Sequence, residues 1–267
     1  MIPFRDHNST RVFVWWSNLC YHLSAPFLII LLITHSISLP SFVESSQQQS
    51  IPYELAREVA KHYATVRWEG ARLGEGQLYY DPNGFPEVYF FVVFKKGVVK
   101  KSTATLLQKT NALRSQRIEQ ERLARSSLPS VSKEAQVVVK DIWIQMSAPD
   151  KYGTIVIGAH EGREPFIASY SGLPPHIFLR EDAIETARHK LRGRKPNKIR
   201  YIWQPPLFVV FEISEGQEAF NNVQLEVKGT KLHQINIQQW RRSKLNYKVL
   251  QQRKQKWRSW RRSLSED

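Results

Sequence analysis

The sequence predicts an α+β fold, an antiparallel sheet built from two helix–hairpin units with the helices packed on one face. Three observations predict it. Leu55, Ala56, Val59, Ala60 and Tyr63 fall at helical spacing just ahead of an apolar strand pair at 77–94. Ala183, Ile184, Ala187 and Leu191 repeat the offsets of Leu55, Ala56, Val59 and Tyr63 ahead of a second apolar pair at 199–211. The tetrapeptide Phe-Val-Val-Phe occurs in both pairs, at 91–94 and at 208–211, which reads as a degenerate repeat of helix, strand, turn and strand.

Taken in order, the chain opens on Arg5 and Arg11 and then has no Lys, Arg, Asp or Glu from Val12 to Val43. Its apolar peak runs from Ala25 to Ile33, with small residues at Ser36, Ser38 and Ser41. A basic start, an apolar core and a small-residue end form the pattern of a secretory signal peptide over residues 1–43. The uncharged run also reaches the ~20 residues that a bilayer requires, so an uncleaved anchor through residues 12–39 is the second expectation. Either reading exports the remainder, to the outside or the periplasm, because the positive residues precede the segment. Cys20, the only cysteine, lies inside it. The exported part therefore has no disulfide, thiol nucleophile or thiolate metal site, and its core alone must hold it together.

Ser45 to Ser50 reads as a polar linker. Pro52 falls in the first turn of the first helix, where a missing N–H costs nothing. Glu58, Lys61 and His62 form its polar face. Residues 77–80 and 88–94 read as strands around Asp81-Pro82-Asn83-Gly84, a turn with Pro second and Gly fourth. Residues 96–134 form a polar insertion, with an exposed helix at 102–125 and a Ser/Pro-rich linker at 126–132. Strand character resumes at Val137–Val139 and Ile142–Ile144, then at 153–158 and 165–170. A second helix begins near Glu181, and Val223–Val227 alternates as a half-buried strand. The organisation expected is thus a first unit at 51–175, a second at 176–239 and a basic tail at 240–267.

The charge is +15 over 267 residues. Without its first 43 residues, which hold two Arg and one Asp, the chain keeps 37 basic against 23 acidic side chains. Such a surface attracts anionic partners, with surface polymers and lipid headgroups placed ahead of nucleic acid. The tail concentrates this charge: from Trp240 to Arg262 there are ten Lys or Arg and no acid, interleaved with Trp257 and Trp260. Arg241, Arg242, Lys254, Arg258, Arg261 and Arg262 are the candidate anion-binding residues. The plainer alternative is a solvated helix whose aromatics pack locally.

Catalytic patterns are missing. No two His are spaced as metal ligands, and there is no nucleophile elbow, phosphate loop or dinucleotide fingerprint. His160 has an adjacent acid, Glu161, in a Gly-flanked turn, where an exposed position is expected. Asp182 and Glu185 lie at a helix start, where they complement its dipole. The expectation is a protein without catalytic residues or cofactor that works by binding.

Tyr152 to Ala159, followed by Arg163 to Ser171, carries Gly153, Ile155, Val156, Ile157, Pro165, Tyr170 and Ser171. In this stretch the chain resembles the propeptide of streptopain-type cysteine proteases and the Spi-type inhibitors related to it. The helix at 55–63 and the hairpin at 78–94 are similar to those of PepSY-like domains. The resemblance covers 51–100 and 136–175; the insertion at 96–134 departs from it, and no protease follows. It implies a stand-alone module that covers the cleft of a secreted cysteine protease with its sheet or a loop. It implies a sheet-core place, rather than a contact role, for the motif residues.

Overall fold

The computed structural model describes residues 49–127, 129–191, 196, 198–204, 208–215, 222–228, 231–235 and 247–266. The proposed signal or anchor at 1–43 and its apolar segment 12–39 lie outside these residues. So do Arg241 and Arg242 of the tail. Among the described residues no helix is long and apolar enough to cross a membrane.

Helix α1 (Tyr53–Arg67) starts directly after Pro52 and buries Ala56, Val59, Ala60 and Ala64 along one stripe. Small side chains on that stripe let its backbone approach the sheet. Strands β1 (Arg72–Tyr80) and β2 (Pro86–Phe94) pair antiparallel through the predicted turn. The Gly84 amide donates to the Asp81 carbonyl at 3.0 Å, and the Asp81 carboxylate accepts from the Phe85 amide at 2.8 Å. Gly84 takes a φ of +89°, a region that L side chains rarely adopt.

β2 is buried on both faces, which explains its unbroken apolar run. Phe91 and Val93 join α1, Ile155 and Ile157 in one cluster. Val88 and Phe90 face the opposite side, with Leu179, Ala183 and Ala187. The helices therefore cover both faces of the sheet, not one. A single covered face would have left every second β2 residue in water.

The insertion is a helical hairpin of α2 (Thr103–Ser126) and α3 (Pro129–Ser147). The Ser102 hydroxyl caps α2 by accepting from the Thr105 amide at 3.3 Å. α3 replaces the strands expected at Val137–Val139 and Ile142–Ile144, and it begins inside the expected linker at 126–132. Ala135, Val139, Ile142 and Met146 are spaced four, three and four apart, so they form one inward stripe. Val137, Val138 and Ile144 remain exposed, and tertiary packing has overridden the strand preference of the β-branched run. Arg114 and Arg117 of α2 grip Asp182 at 2.8 and 2.5 Å, and the Arg117 guanidinium lies 4.0 Å over the Trp143 ring. Asp182 thus ties the insertion to the helix that follows, in addition to its place at that helix start.

β3 (Tyr152–Gly158) is buried along its whole length and pairs antiparallel with β2 and with β4 (Phe166–Ser171). A short helix α4 (Pro175–Phe178) leads into α5 (Arg180–Lys190). β5 (Lys198–Gln204), β6 (Phe208–Ser214), β7 (Asn222–Lys228) and β8 (Lys231–Gln234) then form an antiparallel meander. The eight strands lie in the order β4-β3-β2-β1-β5-β6-β7-β8. The sheet is mixed rather than antiparallel, because β1 and β5 meet parallel, with Tyr80 opposite Ile202.

The shared tetrapeptide does not mark equivalent positions. Val209 and Phe211 belong to the α5 cluster, whereas Val92 and Phe94 lie on the side of β2 away from α1. Superposing 91–94 on 208–211 would match helix-facing residues with helix-averted ones. A one-residue offset inverts a strand in this way, so the tetrapeptide match does not itself align the two halves. Chain order places a helix before β1–β2 and another before β5–β8, with the helical hairpin between β2 and β3.

The last helix, α6 (Tyr247–Ser265), packs beside α1. Trp257 is fully buried among Val59, Ala60, Phe91 and Ile155.

Candidate functional site

The loop between β3 and β4, residues 159–165, is where distant parts of the chain converge. On one side it holds the segment before α1: the Ile51 amide donates to the Ala159 carbonyl at 2.8 Å, and the Glu161 amide to the Gln49 carbonyl at 3.1 Å. On another side is Glu87 at the start of β2, only 2 % exposed. Its carboxylate takes a hydrogen bond from His160 Nε2 at 3.2 Å and an ion pair from Arg163. His160 is 6 % exposed, against the exposed position expected for a turn. Burial is affordable because both ring nitrogens are engaged: Nδ1 accepts from the Gly162 amide at 3.1 Å, so Nε2 carries the proton given to Glu87. Arg163 also lies 5.3 Å from the Trp203 ring of β5, which brings the second half of the sheet to the same node.

On its outer side the loop receives α6. The Trp257 indole N–H donates to the Arg163 carbonyl at 2.8 Å. Arg253 donates to the Gly162 carbonyl at 2.7 Å and pairs with Glu164 at 3.4 Å. Lys256 pairs with Glu164 at 2.7 Å, and Arg261 with Glu161 at 2.8 Å. The tail is therefore neither a free arm nor a freely solvated helix. Of the expected anion-binding residues, Arg261 pairs with Glu161. Lys254, Arg258 and Arg262 recur every four residues along one flank of α6, running from half-buried to exposed. They have no ion-pair partner among the described residues, and Arg258 and Arg262 are exposed.

The 152–171 motif residues occupy structural places. Ile155, Val156 and Ile157 are core. A Cβ on Gly153 would lie 2.6 Å from the Trp68 ring, so glycine is what lets α1 end over β3. The Pro165 carbonyl accepts from the Gly158 amide at 3.3 Å, and the Ser171 hydroxyl accepts from Lys95 at 3.2 Å. Tyr170 is held neutral by burial, which pushes its hydroxyl well above the usual tyrosine range, against a smaller lowering by a hydrogen bond with Thr154.

A second buried histidine, His176, shares a 2.8 Å hydrogen bond between Nδ1 and the Tyr79 hydroxyl. Burial lowers its pKa from 6.5 to about 3, so it is neutral at ordinary pH. Burial likewise raises Tyr79 well above the usual tyrosine range, helped by the neighbouring Tyr170 and Tyr201.

Two concavities flank β4. A cavity of about 290 Å³ lies on one face, lined by Phe90, Val156, Tyr170, Phe178, Trp203 and Val209 among others. A groove of about 940 Å³ runs between α1 and α6 on the other, floored by Tyr63, Phe166 and Trp260. Neither histidine pair lines them. Among the described residues no three His, Cys, Asp or Glu side chains converge as a metal site.

No family model matches the chain, and no curated protein or solved structure is similar to it.

The seating of α6 on the 159–165 loop and the groove were not read from the sequence as sites. Their one sequence signal is the spacing of Trp257, Trp260 and Leu264, three and then four apart, which makes the tail a helix with an apolar side.

Proposed function

We propose that this chain is an exported, non-enzymatic binding protein whose α6 presents a fixed cationic face to an anionic surface polymer or lipid. The supporting observation is the seating of α6. Trp257 and the pairs with Glu161 and Glu164 fix one side of the helix, and Lys254, Arg258 and Arg262 form one column along the flank beside it, with Arg258 and Arg262 exposed. A column of cations on a docked helix loses less freedom on binding than the same charges on a loose arm. Binding to vesicles rich in anionic lipid, or to a polyanionic polymer, should weaken steeply as salt rises. Replacing Lys254, Arg258 and Arg262 together by Gln should cut it by about tenfold or more while leaving thermal unfolding unchanged. Binding that ignores salt, or survives the triple replacement, rejects the reading.

A second reading keeps the resemblance at 152–171: a stand-alone propeptide-like module acting on a secreted cysteine protease. The observation that favours it is that the motif forms the edge hairpin β3–β4, with β4 last in the strand order. An edge strand can take up an extended segment of a partner by strand addition. On this reading the two halves descend from PepSY-like helix–hairpin units, supported by the helix that precedes each run of strands. Residues 44–267 should then inhibit a streptopain-like cysteine protease at micromolar concentration; full protease activity at that dose sinks the idea.

A further inference from the structure

We infer that the groove between α1 and α6 is a binding site for a neutral oligosaccharide. Its floor is aromatic and comes from three separate elements. Tyr63 of α1 stacks on Phe166 of β4 at 4.4 Å between centroids. Trp260 of α6 stands 6.1 Å from Tyr63, tilted by 52°, and 5.2 Å from His62. All three floor rings are only partly buried. Partly covered rings at the bottom of a concavity are apolar surface held open to a ligand.

The rim decides which ligand. Glu58, Lys61, Thr65, Ser259 and Ser263 line it, offering carboxylate, ammonium and hydroxyl groups. Glu58 and Lys61 pair with each other, and Thr65 and Ser263 donate to the His62 and Trp260 carbonyls, so each keeps acceptor or donor capacity that an apolar peptide or an acyl chain would cover unused. A sugar ring suits both layers. Its C–H face settles on an aromatic ring, and its equatorial hydroxyls reach outward to donors and acceptors of the rim.

Charge then selects among sugars. Lys61 is paired with Glu58 at 3.4 Å, and Lys256 with Glu164 at 2.7 Å, so the rim is nearly balanced. A balanced rim gives no attraction for a polyanion, which is drawn instead to the cationic side of α6. The volume of about 940 Å³ lies at the upper end of the ~300–1,000 Å³ usual for ligand sites and suits several linked rings. The groove and the cationic column occupy different sides of α6, so this inference stands apart from the function proposed above.

The test is titration of the full chain with a panel of soluble neutral oligosaccharides, glucans and N-acetylglucosamine oligomers of several linkages. Isothermal calorimetry and tryptophan fluorescence are the readouts. At least one member should bind with a dissociation constant between micromolar and millimolar, with little dependence on salt. Trp260→Ala should weaken it by about tenfold or more, and Trp260→Phe should restore most of it. Glu58→Gln, at the solvent-facing rim, should weaken binding several-fold and serves if Trp260→Ala unfolds. Overturning results are three: no panel member binds up to the solubility limit, both variants bind like the parent, or an apolar peptide displaces the sugar more tightly than the sugar binds.

Discussion

Trp257→Ala should lower the unfolding free energy by about 3–5 kcal/mol, the cost of deleting a large aromatic from a core that cannot close over the gap. The side chain is fully buried against Val59, Ala60, Phe91 and Ile155, and its indole N–H satisfies the Arg163 carbonyl. Truncation removes the packing and orphans a carbonyl in the same step. For a domain whose stability lies in the usual range of about 5–15 kcal/mol, this is enough to unfold a large share of molecules near body temperature. Arg258→Ala, one residue along but on the outer face, is expected to change stability by no more than about 0.5 kcal/mol. Urea unfolding of the two variants beside the parent makes the measurement. Equal effects would mean that α6 is not docked through Trp257.

Acid should destabilise the protein through His176. Its folded pKa is about 3 against 6.5 for an ordinary histidine, so the folded state resists a proton that the unfolded state accepts. The stability it contributes is complete above pH ~6.5, and falls as the pH drops from there toward 3. The slope is about 1.4 kcal/mol per pH unit in that window, flattening below it. Protonation also breaks the contact in which Nδ1 accepts, or forces the Tyr79 hydroxyl to turn, inside a buried site. His176→Asn keeps a polar atom near the Nδ1 position and cannot titrate. The parent should therefore lose stability between pH 6 and 4 more steeply than the variant, by about one proton in the slope. Parallel pH profiles would refute the assignment to His176.

How far the fold can be read from the sequence depends on what each element leans on. α1 and α5 are legible because their alanine stripes face a sheet whichever way that sheet is joined. The turn at Asp81–Gly84 is legible because Pro82 and Gly84 restrict the backbone locally. α3 is not legible as a helix, because Val137–Val139 prefers strands and is outvoted only by the inward stripe through Ala135, Ile142 and Met146. The parallel meeting of β1 and β5 is set by packing between halves far apart in sequence, which no local pattern records. His160 shows the same limit at the level of a site. Its neighbour in sequence is Glu161, but the carboxylate that allows its burial is Glu87, 73 residues away. The β3 part of the 152–171 motif, conversely, is visible in sequence because it is core, and for that reason it says little about surface chemistry.

The pairing of α6 with the 159–165 loop also bears on how the chain acquires its structure. Arg261 reaches back 100 residues to Glu161, and Trp257 fills a bed formed by α1 and the first strands. Closing so long a loop has a modest entropic cost at equilibrium, but contacts of this separation slow folding. During synthesis α1 and β1–β3 emerge early with their apolar bed uncovered, and the helix that covers it emerges late. The first half of the sheet must therefore pass through a stage with an open aromatic surface. Exposed apolar surface of this kind is prone to aggregation until α6 covers it.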